Sequence, residues 1–194
     1  SLIFQIEGKL KSLNELKFQK KTNLFIINKL TPLWNKLKKD SFLNWPQNNL
    51  INNLNKNNLT FSPSDFGFHN SLIKKNKVQF IDFEYFGYDD PVKIISDFLW
   101  HPSMNISLSN KNYWQINMFK IFKSDINITQ RFKSAYPLYG FRWILIMLKY
   151  ISFENTNKSN LLSKKRVKNQ NYNKILDYYK IINNYDINSS LNDT

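Results

Sequence analysis

Apolar positions recur along this chain mostly at helical intervals. Ile3, Ile6, Leu10, Leu13 and Leu16 return every three or four residues, which predicts an amphipathic helix from about Leu2 to Phe18. Asn23–Leu30 continues the helical pattern. Thr31 and Pro32 read as an N-cap and first helical residue, opening a helix to about Lys39. Pro46 is placed to open another, with Leu50, Ile51 and Leu54 on one face, before the Asn-rich run Asn52–Asn58 ends it. Further helices are expected over Pro91–Trp100, behind an N-cap at Asp90, and over Tyr113–Phe122, Ile128–Tyr136, Pro137–Ser152 and Tyr172–Asn184. The polar, basic stretch from Glu154 to Gln170 reads as a surface loop, and the last ten residues as frayed.

The pattern shifts to strand-like between Leu59 and Phe83. Leu59–Phe61 is a short strand candidate, and Ser71–Ile73 and Val78–Phe83 read as a hairpin closed over Lys74–Lys77 without a glycine. Many helices and one small hairpin predict an α+β fold, predominantly helical, in a single domain spanning 1–194.

Composition narrows the function classes. There is no cysteine, which excludes disulfides and thiolate metal sites and fits a reducing compartment. The longest apolar run, Trp143–Leu148, is too short to span a bilayer, and the first residues do not read as a signal peptide, so a cytoplasmic, soluble protein is expected. The net charge of +14 invites a nucleic-acid reading. The basic residues are nearly all lysine, however, with arginine only at Arg131, Arg142 and Arg166, and Asn and Ile are abundant while Ala occurs only at Ala135. That is the bias of A/T-rich codons, and Arg, the usual phosphate reader, is what the chain lacks. Nucleic-acid binding is therefore not the expected function, although a basic surface remains suited to an anionic substrate.

Acids are scarce, with 14 Asp and Glu in 194 residues, yet they cluster in FSPSDFGFHNSLIKKNKVQFIDFEYFGYDDP, Phe61–Pro91. Asp65 is followed by Asn70, and after the hairpin come Asp82, Glu84, Asp89 and Asp90. Phosphoryl transfer requires a carboxylate to accept the hydroxyl proton, and oxygen ligands for a magnesium ion. Asp65, Asn70 and Asp82 supply that set in order. Glu84 is either a surface carboxylate or part of the site, and Asp90 reads as a helix N-cap. His69 reads as a packing or hydrogen-bonding residue, and His101 has no evident partner in the sequence.

The run SDFGFHNSLI…VQFIDFEYFGYDDPVKIISDF resembles the second half of aminoglycoside phosphotransferases and choline/ethanolamine kinases, which share the protein-kinase-like fold. The resemblance is close over Ser64–Phe98 and loose beyond, where YGFRWILIMLKY at Tyr139–Tyr150 is similar too. It implies the C-terminal lobe of such a kinase, with catalytic and metal loops in 61–91. The implied activity is ATP-dependent phosphorylation of a small-molecule hydroxyl, with Asp65 as base and Asn70 and Asp82 on Mg²⁺. It also implies that Asp97 braces the loops, and that Tyr85, with Trp100 as a second wall, lines a substrate site by cation–π contact; core packing is the competing expectation for both aromatics. Two positions depart from the family pattern. Pro63 stands where the catalytic loop commonly has His, and with glycine only at Gly8, Gly67, Gly87 and Gly140 no phosphate-covering loop is present. The expectation is accordingly a lobe whose nucleotide-binding N-terminal partner is absent from this sequence; the alternative is a kinase-derived, non-catalytic binding or scaffold module.

Overall fold

The computed structural model describes residues 1–45, 54–154 and 161–187, and they are mostly helical with two small antiparallel sheets. The expected helix opening at Pro46 lies largely outside the described residues. Helix α1 is Leu2–Leu13, α2 is Lys20–Phe25 and α3 is Thr31–Asn44. Helices α2 and α3 are joined by a π-helical turn at Ile26–Leu30 and not by a break. Thr31 is therefore no N-cap. Its N–H and its hydroxyl both bond back to the Ile26 carbonyl, and the widened turn absorbs Pro32, which has no N–H to give.

Strand β1, Thr60–Ser62, pairs with β4, Gly87–Asp89, with Phe61 opposite Tyr88. Strands β2, Ser71–Lys74, and β3, Lys77–Phe80, form the expected hairpin with Leu72 opposite Gln79. Its two-residue turn is made by Lys75 and Asn76 at φ 48° and 60°, the left-handed pair that a tight hairpin requires; Asn tolerates that region well, which is how the turn manages without glycine. The β1–β4 pairing, closing the whole 61–91 stretch into a loop-and-hairpin unit, was not visible in the apolar pattern.

Helices α4 (Pro91–Trp100), α5 (Leu108–Ile121), α6 (Ile128–Glu154) and α7 (Leu161–Asn183) complete the chain. Asp90 caps α4 as expected, its Oδ1 accepting from Val92 N–H at 2.9 Å. Sequence reading splits α6 into two helices at Pro137, but the helix is continuous. Pro137 leaves the Lys133 carbonyl without its helical donor, and the Tyr185 hydroxyl supplies one at 3.3 Å. The expected loop from Glu154 to Gln170 is likewise mostly helix from Leu161 on, because Lys, Arg, Gln and Leu are good helix formers even where no apolar stripe announces them.

Helix α6 is the axis of the core, packing against α1, α3, α4 and α7. Phe132, Leu138, Phe141, Ile144, Leu145, Leu148 and Ile151 on it are nearly or wholly buried. Gly140 lets α4 approach: a Cβ there would stand 2.7 Å from the Trp100 indole. That indole is pinned by its Nε1–H bond to the Tyr136 carbonyl (2.9 Å) and by an edge contact with Tyr178. Ala exceeds Gly in helix propensity by about 1 kcal/mol, but overpacking a fixed ring costs about 1–3 kcal/mol. Gly140→Ala is expected to lower the urea midpoint; a raised midpoint would show that the indole yields freely.

Candidate active site around Asp65

The chain leaves β1 through a strained corner. Ser64 has φ 66°, and the Asp65 N–H bonds to the Pro63 carbonyl at 2.8 Å, a γ-turn of the rare hand. Ser62 Oγ accepts from Ser64 N–H, and the Lys93 ammonium donates to Ser64 Oγ at 2.7 Å while pairing with Asp89. The corner is thus held from β1, β4 and α4 at once. Strain maintained by surrounding contacts is common at functional positions, and this strain directly precedes Asp65.

Asp65, Asn70 and Asp82 are linked through the backbone. Asn70 Nδ2 donates to the Asp65 carbonyl at 2.9 Å, and the Ile81 N–H donates to the Asn70 carbonyl at 2.9 Å. The hairpin therefore folds the residue before Asp82 onto Asn70. With the amide nitrogen engaged, Asn70 keeps its side-chain oxygen, which accepts no hydrogen bond among the described residues. Asp82 is exposed at φ 63°, with no hydrogen bond or ion pair among the described residues. The strand expected over Val78–Phe83 ends at Phe80, so Asp82 stands two residues past β3 and not on it. Glu84 is exposed and unpaired among the described residues.

Two histidines meet at Asp65. His69 Nε2 lies 3.1 Å and His101 Nε2 3.7 Å from Asp65 Oδ1, and the two imidazoles stack with centroids 3.9 Å apart and planes 2° from parallel. His101 Nδ1 accepts from the Ser103 N–H at 3.2 Å, which leaves Nε2 as the protonated nitrogen facing the carboxylate. Gly67 makes room, since a Cβ there would lie 2.6 Å from the His69 ring. The three donor atoms lie within 4.8 Å of one another, a carboxylate and two imidazoles. Parallel rings do not converge their in-plane lone pairs on one ion, however, so this arrangement reads as a carboxylate flanked by two imidazoles. Asn70 Oδ1 and the Asp82 carboxylate are the hard oxygen donors that suit magnesium. The His101 pairing was missed because its partners come from residues distant in sequence; for His69, the step of four from Asp65 was the available signal.

Burial, followed by the neighbouring His69, pulls the His101 imidazole down to about 4 from its ordinary 6.5, with Asp65 opposing. A depressed folded value means the unfolded chain takes up this proton first, so the stability it contributes is present above pH 6.5 and is lost as pH falls toward 4. The denaturation midpoint is expected to fall across that window, and to fall less steeply in His101→Asn, which can still accept from Ser103 but gains no proton. Parallel slopes for the two proteins would reject the assignment.

A cavity of about 550 Å³ opens beside Asp65, lined also by Lys9, Tyr85, Lys93, Asp97, His101, Arg142 and Trp143. Tyr85 is 68 % exposed at its edge. Trp100, expected as a second wall, is 3 % exposed and belongs to the core. Asp97 is 7 % exposed and braces helices rather than loops: it pairs with Arg142 and accepts from Trp143 Nε1 at 3.0 Å, tying α4 to α6. Burial pushes its carboxyl above the usual value, with Arg142 opposing. Asp90, besides capping α4, accepts from Arg131 Nη2 at 2.9 Å, and Arg131 also reaches Asp125. No helix among the described residues is long and apolar enough to cross a membrane. No family model, no curated protein and no solved structure matches this chain.

Proposed function

We propose that this chain is the substrate- and magnesium-binding lobe of a kinase-like enzyme that phosphorylates a small-molecule hydroxyl with ATP. The observation that carries the reading is the hydrogen-bonded linkage from Asp65 through Asn70 to the residue preceding Asp82. It holds one exposed carboxylate, one free amide oxygen and one unpaired carboxylate on a short loop and hairpin. Asp65 accepts the acceptor's hydroxyl proton; His69 takes one of its oxygens by hydrogen bond, leaving the other for that proton. Asn70 Oδ1 and Asp82 would hold Mg²⁺, which when bound supplies the positive charge that phosphoryl transfer needs.

The sheets offer a second support. Phe61, Phe83, Phe86 and Tyr88 are each more than half exposed, with Phe61 stacked on Phe86 and packed at a tilt against Tyr88, and Leu72, Ile73 and Val78 are more than half exposed on the hairpin. Exposed apolar side chains in this number mark a contact region, and in this reading the nucleotide-binding lobe covers it. The test is transfer of labelled γ-phosphate from Mg-ATP to a panel of small alcohols by the native protein, with Asp65→Asn and Asp82→Ala beside it. Wild-type turnover in both variants would reject these roles.

A further inference from the structure

The cavity beside Asp65 holds an ammonium that no carboxylate among the described residues pairs. Lys9, Lys93 and Arg142 line it against Asp65 and Asp97. Two of the cations are committed: Lys93 to Asp89 and Ser64, and Arg142 to Asp97. The Lys9 ammonium has no acceptor or ion-pair partner among the described residues, although it is half-buried on α1. Burial and the nearby charges of Arg142 and Lys149 pull its pKa down, the signature of an ammonium lacking a counter-charge. Arg142 adds a second cation to the lining, 9 % exposed, with Nη2 on Asp97 and Nη1 only loosely engaged, 3.5 Å from Gln5 Oε1.

We infer that the acceptor taken by this cavity is an anionic alcohol, whose phosphate or carboxylate group is received by Lys9 and Arg142 while its hydroxyl faces Asp65. The inference rests on the kinase reading for the hydroxyl and on the cavity alone for the anion. Across the cavity the second oxygen of Asp65 and the Lys9 ammonium remain open, since both histidines face Asp65 Oδ1, and a molecule with a hydroxyl at one end and an anion at the other satisfies both. A quaternary ammonium would instead meet the Lys9 ammonium, which no neighbouring carboxylate pairs, and repulsion of like charges disfavours it there. Phe4, Phe66, Trp143 and Ile146 give the cavity apolar wall as well, beside the polar Gln5, Ser12 and Ser64.

Calorimetric titration of the native protein, without nucleotide, tests this directly with four probes: glycerol 3-phosphate, glycerate, glycerol and choline. At least one anionic probe is expected to bind about tenfold or more tightly than glycerol and choline, and which one does so separates phosphate from carboxylate. Lys9→Gln is expected to erase the preference, and Lys9→Arg to keep it. Lys9 lies on a half-exposed helix face away from the core, so both variants fold, as circular dichroism will report. Equal or tighter binding of glycerol or choline, no binding of either anion, or an unchanged preference in Lys9→Gln overturns the inference. Its failure is distinguishable from that of the kinase reading. Lys9-dependent anion binding without any phosphoryl transfer removes the kinase and keeps the site. Transfer to neutral or cationic alcohols that is indifferent to Lys9→Gln does the reverse.

Discussion

Asp65→Asn is expected to lower phosphoryl transfer by about 10²–10⁴-fold while leaving the fold and acceptor affinity close to wild type. The substitution keeps the shape and an oxygen to face His69, so the local hydrogen bond survives. What it removes is a group able to take the hydroxyl proton. Asp65 is about half exposed, 48 % for its side chain, so losing its charge costs little in stability. The effect therefore falls on turnover and not on binding. Asp82→Ala is separable from it, because a lost magnesium ligand raises the magnesium concentration needed for half-maximal rate. Loss of the fold in Asp65→Asn, followed by urea denaturation, or a fall in acceptor affinity equal to the fall in rate, would assign Asp65 to structure or binding instead of proton transfer.

Elements built from local signals are legible in the sequence. The Asp90 cap, Pro91 at the first turn and the apolar spacing of Val92, Ile95, Phe98 and Leu99 define α4 by themselves. So do the alternating runs of the β2–β3 hairpin. Features decided by distant partners are not. Pro137 predicts a break, and only the Tyr185 hydroxyl, 48 positions on, explains why α6 continues. Tyr88 reads as one more aromatic until Phe61 pairs with it.

The site divides in the same way. Asp65, Asn70 and Asp82 were found by order and spacing within one short stretch. Lys9, His101 and Arg142 reach the same cavity from α1, from the end of α4 and from α6, and no spacing rule joins them. Arg142 was noticed only as one of the chain's few arginines. Its importance comes from Asp97, 45 residues away, which is as buried as it is.

That pair sets the second large expectation. Arg142→Met is expected to destabilise the protein by about 3–5 kcal/mol, the cost of stranding a buried charge. Methionine approximates the volume of the arginine stem, so the loss is electrostatic and not a cavity effect. In the variant Asp97 keeps the Trp143 N–H but loses its paired cation, so burial raises its pKa with only Lys93 and the Trp143 bond opposing. A carboxyl with a raised folded value loses stability as pH climbs through that value, so the deficit is largest at neutral pH and narrows as pH falls into the ordinary carboxylate range. Adding Asp97→Asn to Arg142→Met removes the stranded charge and is expected to recover much of the loss, whereas either change alone leaves one partner buried and unpaired. Measured as urea midpoints at two pH values, a deficit that is independent of pH, or one that the double variant deepens, would show that Arg142 stabilises by packing alone. An arginine that does not need its carboxylate would be free to turn wholly to the cavity.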